Sequence, residues 1–233
     1  MKFTNENQKL IYKEKLAEQV YLLKYTINPD LEWKAGQYIG VGISGTYRRS
    51  YTIFDLNDGV LTLIVDTKPG GLASQFFDKV EVGMESLIIG PYGRFGNQAI
   101  ENNKVYISTG TGIAPFLSMA KECRSKKKNK VTFIFGAKTL IDEVAFRFFK
   151  EFIDEDFEYI QCITRHLPEH KLEGQDKKAK IYFERITTAL PKLKLDFQRS
   201  EFYICGSPQM VEDVNSVLTA LGADKIYYEK YSA

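Results

Sequence analysis

The chain has 233 residues, 44% hydrophobic and 13% aromatic, enough for one large or two small cores. Its net charge of +2 is too small to depend on neutralising a phosphate backbone, which argues against a nucleic-acid partner. No apolar run reaches membrane-spanning length, and Met1 to Asn7 lacks the basic-then-apolar layout of a secretory signal, so a cytoplasmic protein is expected.

The first hundred residues read as β structure. Runs rich in β-branched and aromatic residues lie at 20–27, 38–43, 51–54, 60–65 and 86–89. Turn signals separate them: Asn28-Pro29-Asp30, Ser44-Gly45, Asn57-Asp58-Gly59 and Gly90-Pro91. This spacing predicts an antiparallel barrel or sandwich. One helical segment, 72–77, follows Pro69-Gly70-Gly71. The polar stretch 96–103 reads as a boundary, predicting domains at 1–98 and 103–233.

The second half alternates. Strand-like runs at 105–108, 131–135, 157–163, 201–205 and 225–231 are interleaved with helical segments near 116–124, 142–153, 183–189 and 208–221. Within 142–153, Val144, Phe148 and Phe152 recur every four residues behind Asp142 and Glu143, predicting an amphipathic helix with a favourable first turn. Such alternation implies a parallel sheet covered by helices.

The most informative stretch is Ser108-Thr109-Gly110-Thr111-Gly112-Ile113-Ala114-Pro115-Phe116. It joins a strand to a helix through two glycines, with a proline suited to the first helical turn. A helix start there offers unpaired N–H groups to an anion, where an open α/β sheet binds nucleotides. Taken alone, it fits equally a tight turn without a ligand.

Cys123, Cys162 and Cys205 are scattered with no C-x-x-C pair, so no zinc or iron–sulfur site is expected. His166 and His170, the two histidines, read as loop residues. The basic run 121–130, with Lys126-Lys127-Lys128, reads as a solvated helix end or a steering patch for an acidic carrier.

Several motifs stand in order along the chain: Arg49-Ser50-Tyr51-Thr52, Gly70-Gly71-Leu72-Ala73-Ser74, Gly90-Pro91-Tyr92-Gly93-Arg94-Phe95, the 108–116 turn, Cys205-Gly206-Ser207-Pro208-Gln209-Met210 and Glu229-Lys230-Tyr231. Together they resemble the ferredoxin–NADP reductase family, over nearly the whole chain. The resemblance implies an FAD-binding antiparallel β-barrel followed by a nicotinamide-nucleotide-binding parallel-sheet domain.

The same resemblance implies roles for particular residues. Tyr51 would stack on the flavin ring, Arg49 would grip the flavin phosphate, and Thr52 would hydrogen-bond near flavin N5. Ile64 and Val65 would line the flavin. Gly71, Leu72, Ala73 and Ser74 would set helix-start N–H groups against a pyrophosphate, favouring non-covalent FAD over FMN. Gly110, Thr111, Gly112, Pro115, Gly206 and Met210 would hold the nicotinamide nucleotide. Cys205 would lie beside the nicotinamide, with Glu229 as polar partner of Cys205 and Thr52. Tyr231 would cover the second flavin face. Thr164-Arg165, with Lys180 and Tyr182, would receive the 2′-phosphate and adenine of NADPH in preference to NADH. Thr52, Cys205, Glu229 and Tyr231 are the catalytic candidates, with no metal. The implied reaction passes electrons between NADPH and ferredoxin or a flavodoxin-like carrier. The alternatives are an oxygenase reductase component, a free-flavin reductase, or a flavin-bearing subunit of a larger redox complex.

Overall fold

A computed structural model describes residues 3–68, 70–99, 101–126, 129–139, 145–165 and 179–231. His166, His170, Lys127, Lys128 and the start of the expected helix, Asp142, Glu143 and Val144, lie outside them. No helix among the described residues is long and apolar enough to cross a membrane. The chain divides into two compact units, Met1–Asn97 with Ala114–Met119, and Gln98–Ile113 with Ala120–Ala233.

The first unit is a seven-stranded sheet. Its strands are β1 (Thr4–Ala17), β2 (Val20–Thr26), β3 (Tyr38–Ser44), β4 (Tyr47–Thr52), β5 (Asp55–Asn57), β6 (Val60–Asp66) and β7 (Glu85–Tyr92), in the order β4-β3-β7-β1-β2-β6-β5. Every pairing is antiparallel. The two edge strands are consecutive in sequence, and the joint between them curls the sheet. There Ile53 N–H donates to Gln37 O at 2.9 Å, beside β3, and Phe54 N–H donates to Thr62 O at 3.0 Å, in β6. Side chains such as Leu23, Tyr25, Ile39, Val41, Leu63 and Val65 fill the interior. The helix α1 (Leu72–Lys79) contributes Phe77 to that core.

Strand β1 escapes the sequence reading. Its opening residues, Thr4 to Lys9, are all polar, yet Thr4 and Gln8 are buried with Leu10. It pairs with β7 over Thr4 to Lys9 and with β2 from Leu10 to Ala17, with a register shift between Leu10 and Tyr12. One long bent strand thus serves both halves of the curled sheet.

The second unit is a six-stranded parallel sheet: β8 (Lys104–Thr109), β9 (Val131–Ala137), β10 (Phe157–Ile163), β11 (Ala179–Tyr182), β12 (Glu201–Gly206) and β13 (Ile226–Lys230), ordered β11-β10-β9-β8-β12-β13. From β8 the chain winds outward one way through β9, β10 and β11, then returns to β12 and β13 on the other side. The switch point falls between β8 and β12, where such sheets bind ligands at their carboxyl ends. Helix α2 (Ala114–Lys126) divides between the two units after Met119, and α3 (Phe146–Phe149), α4 (Ile186–Ala189) and α5 (Pro208–Ala220) belong to the second. Helix α5 starts as the sequence dictates. Pro208 takes its first position, Ser207 Oγ accepts Met210 N–H at 3.4 Å, and Val211, Val214 and Leu218 face the sheet.

The fold class read from the sequence is the one observed, and two helices differ in detail. The segment expected as one helix to residue 153 is a single turn, Phe146–Phe149, followed by a 3-10 turn, Lys150–Phe152. Its buried anchor is Phe149, stacked on Phe133 with centroids 4.3 Å apart, rather than Phe148 and Phe152. Tertiary stacking overrides the four-residue repeat. Helix α4 begins at Ile186 rather than at 183.

A buried ion pair anchors the boundary segment to the second unit. Lys104 and Glu201, both essentially inaccessible, start β8 and β12, and Lys104 Nζ lies 2.8 Å from Glu201 Oε2. Glu201 also accepts hydrogen bonds from Tyr203 OH at 2.6 Å and Asn102 Nδ2 at 2.9 Å, while Lys104 donates to Ala99 O. Burial alone would raise the Glu201 pKa, but these donors hold it below the usual carboxylate value.

Candidate functional site

In the second unit the candidate residues gather where β8, β12 and β13 end. Parallel pairing sets Ser108 beside Cys205 and Cys205 beside Glu229, one row across three strands. The Ser108 hydroxyl and Glu229 Oε2 are buried without a hydrogen-bond partner. A buried polar atom left unpaired costs on the order of 1–3 kcal/mol, so a row with two is a place for polar ligand atoms. Burial raises the Glu229 carboxyl from 4.5 to about 6. Burial also lifts the Cys205 thiol well above its ordinary value. The Glu229 charge adds to the rise, and a hydrogen bond with Tyr231 opposes it. Cys205 therefore stays a neutral thiol, unsuited to nucleophilic attack. Tyr231 N–H donates to Gly206 O at 2.8 Å, fixing the chain just past β13. Ser108 stands in the stretch singled out from the sequence, but no role was expected of it there. Its signal was its place one residue before the end of β8, two before the first glycine of the turn.

That turn is a 3-10 segment, Gly110–Ile113, leading directly into α2, whose second residue is Pro115. Its two glycines do different things. A Cβ on Gly112 would lie 2.3 Å from the Cys205 carbonyl oxygen, so Gly112 lets the turn close on β12 and is committed to protein packing. Gly110, with φ +54, has open space around it and is free to face a ligand. Thr111 lies between them, half-buried. Gly206, at φ +156, fits between Thr109 Oγ1 and the Met210 methyl, 2.9 Å and 2.4 Å from where its Cβ would sit.

Thr164 and Arg165 follow β10, are exposed, and are fastened by their backbones. Thr164 N–H donates to Ala137 O at 3.2 Å and Arg165 N–H to Lys138 O at 2.7 Å. Tyr182, at the end of β11, is half-buried against the core beside Cys162. Lys180 is not brought to this place. It pairs with Glu158 and lines a groove of about 470 Å³ with Lys130 and Asp156, which precede β9 and β10. It stands two residues before Tyr182 in β11 and pairs toward the start of β10, whereas Arg165 follows the end of β10.

In the first unit, β4 alternates Tyr47, Arg49 and Tyr51 on one face and Arg48, Ser50 and Thr52 on the other. The exposed Arg49 forms no ion pair among the described residues, and its guanidinium lies 5.7 Å from the Tyr47 ring. Tyr51 is half-buried, edge-on to Phe77 at 4.9 Å and 81°. Burial raises its hydroxyl pKa, with Arg49 opposing, so Tyr51 is neutral. Thr52 is buried, paired across the ladder with Tyr38. Ile64 and Val65 are buried in β6, so any group they meet meets mainly their backbone.

Helix α1 begins after Gly71, a position with open space around it. Leu72 is exposed, Ala73 half-buried and Ser74 buried. The Ser74 hydroxyl accepts Gly70 N–H at 3.0 Å, so the helix start presents backbone N–H groups outward rather than that hydroxyl.

Two family models match the chain: the oxidoreductase FAD-binding domain over residues 7–96 and the oxidoreductase NAD-binding domain over residues 106–216. The chain belongs to the ferredoxin–NADP reductase family. These reductases are flavoprotein oxidoreductases of two domains. The chain is 29% identical over 219 residues to the reductase component of propane 2-monooxygenase from Rhodococcus jostii, covering 87% of this chain and 56% of that protein. It is 27% identical over 234 residues to a ferredoxin–NADP reductase of Pseudomonas aeruginosa, covering 88% of this chain and 85% of that one. A Neisseria gonorrhoeae ferredoxin–NADP+ reductase crystallised with FAD and NADP has the same fold. There the TM-score is 0.81, identity is 20%, and 99% of each chain is covered. As a member of this family, the chain carries Arg49, Tyr51 and the α1 start within the FAD-binding match. Gly110, Cys205 and Met210 lie within the NAD-binding match, and Glu229 and Tyr231 beyond it.

Proposed function

We propose that the protein is an FAD-dependent oxidoreductase passing electrons between NADPH and a one-electron protein carrier, ferredoxin or flavodoxin-like. The observation that carries this reading is the row Ser108, Cys205, Glu229. It holds two buried polar atoms without partners beside a neutral thiol, a lining for a ligand rather than a nucleophile's environment. The dinucleotides supply hydride transfer and single-electron release. The chain's part is to bind, orient and exclude water.

Arg49, free of any carboxylate among the described residues, takes the flavin phosphate. Tyr51 offers a ring held edge-on by Phe77 to the isoalloxazine. Thr52 supplies a hydroxyl near N5. The first N–H groups of α1 take the second phosphate, with Gly71 leaving room for it. Gly110 and the α2 start receive the nicotinamide nucleotide, Cys205 and Glu229 flank its reacting ring, and Tyr231 holds that place until it enters. Arg165 takes the 2′-phosphate without Lys180, which Glu158 engages elsewhere.

A second reading, the reductase component of an oxygenase, is favoured by the relative from Rhodococcus jostii, of whose length the chain spans 56%. Cytochrome c reduction with and without added ferredoxin separates the two. The main test is FAD uptake followed by diaphorase kinetics with NADPH and NADH side by side. Arg165→Ala should raise KM for NADPH by about tenfold, the scale of one lost charge-assisted pair, and leave NADH nearly unchanged. Protein that takes up no FAD ends the proposal, and equal effects on both nucleotides remove the 2′-phosphate assignment.

A further inference from the structure

The carboxyl end of α1 is held by a side chain from a distant strand. Lys13, in β1, donates from one ammonium to three carbonyl oxygens: Phe77 O at 2.9 Å, Asp78 O at 3.0 Å and Val80 O at 3.0 Å. Its Nζ also sits 4.7 Å from the Tyr21 ring centroid, and the Asp78 carboxylate lies beside the Tyr21 hydroxyl. A helix this short, eight residues, gains little from its own propagation. It ends on Val80 in extended conformation, with no glycine at the C-cap. Only Phe76 O is taken up by the cap itself, through Val80 N–H at 2.8 Å. The remaining last-turn carbonyls need a donor. Three carbonyls converging on one nitrogen suit a compact ammonium, where a planar guanidinium would satisfy fewer.

We infer that Lys13 is a positioning residue for flavin binding, acting through α1. The helix is roughly 12 Å long, with Phe77 edge-on to Tyr51 along its side. Its free end is the one that takes the second flavin phosphate in the function proposed above, on which this inference rests. Lys13 fixes the far end and adds a positive charge where the helix dipole is negative. The helix start is thereby held in place before the dinucleotide arrives, which spares binding the cost of ordering it.

The test uses Lys13→Met, which keeps the aliphatic stem and removes the donors, and Lys13→Arg, which keeps the charge but not the convergent geometry. FAD and FMN affinities are measured for each apoprotein by fluorescence quenching. FMN is the control because it lacks the phosphate that α1 meets. Lys13→Met should weaken FAD by roughly tenfold and Lys13→Arg by less, as expected for lost charge-assisted hydrogen bonds. FMN affinity should fall by clearly less than FAD affinity, since FMN meets α1 only through the Phe77–Tyr51 contact and lacks the phosphate at the helix start. An equal fall for both flavins makes Lys13 a general stabiliser of the barrel and overturns the inference, as does unchanged FAD affinity in Lys13→Met. If Lys13→Met does not fold, Lys13→Arg decides by the same ratio. Wild-type protein that takes up no FAD overturns the underlying function instead.

Discussion

Replacing Glu229 by glutamine tests whether its carboxyl is enclosed as the structure shows. Burial raises its pKa from 4.5 to about 6, so the folded protein holds the proton more tightly than the unfolded chain does. That stabilisation is fully present below pH 4.5 and is lost as pH rises through about 6. The shift corresponds to at most about 2 kcal/mol at 1.36 kcal/mol per pKa unit. The side chain is only partly enclosed, and solvent screening reduces this to about 1 kcal/mol. Glutamine mimics the protonated form at every pH. Glu229→Gln should therefore match the wild type near pH 4.5 and exceed it by about 1 kcal/mol above pH 7. Amide hydrogen exchange along the β12–β13 ladder is the suitable assay, because it reports opening of that edge rather than unfolding of both units. The difference between variant and wild type cancels the other titrating groups. A difference that does not vary with pH, or that favours the wild type as pH rises, would refute the reasoning.

Three further predictions concern packing. Lys104→Met strands the buried Glu201 carboxylate and should cost about 3–5 kcal/mol in denaturant unfolding, against less than about 0.5 kcal/mol for exposed Lys130→Met. A similar, small cost for both would show the buried pair to be dispensable. Gly112→Ala places a Cβ 2.3 Å from the Cys205 carbonyl oxygen, so the turn or the end of β12 must move. Nucleotide KM should rise while FAD uptake is unchanged. Gly110→Asn, at φ +54 in open space, should be tolerated in stability within about 1 kcal/mol.

The chain's local grammar was legible where one residue run decides one element. The strand-like run 157–163 is β10 to the residue, and the helical segment expected from 208 is α5, starting at Pro208. The glycine turn after β8 was legible for the same reason, because the need for small residues at a strand–helix turn is local. What those glycines meet was not. Gly112 faces the Cys205 carbonyl, nearly a hundred residues away, and only Gly110 faces open space.

Tertiary structure alone decided the rest. β1 opens with polar residues and becomes the longest strand because β7 and β2 pair with it on either side. Phe149 displaces Phe148 and Phe152 as the anchor of α3 because Phe133 offers it a stacking partner. Lys180, two residues before Tyr182, goes to Glu158 instead of joining Arg165. The row Ser108, Cys205, Glu229 and the clamp of Lys13 on α1 each unite residues that no spacing rule connects. Periodicity records which face of one element is buried. Strand register and the burial of partnerless polar atoms depend on pairings between distant segments, and those exist only once the chain has folded.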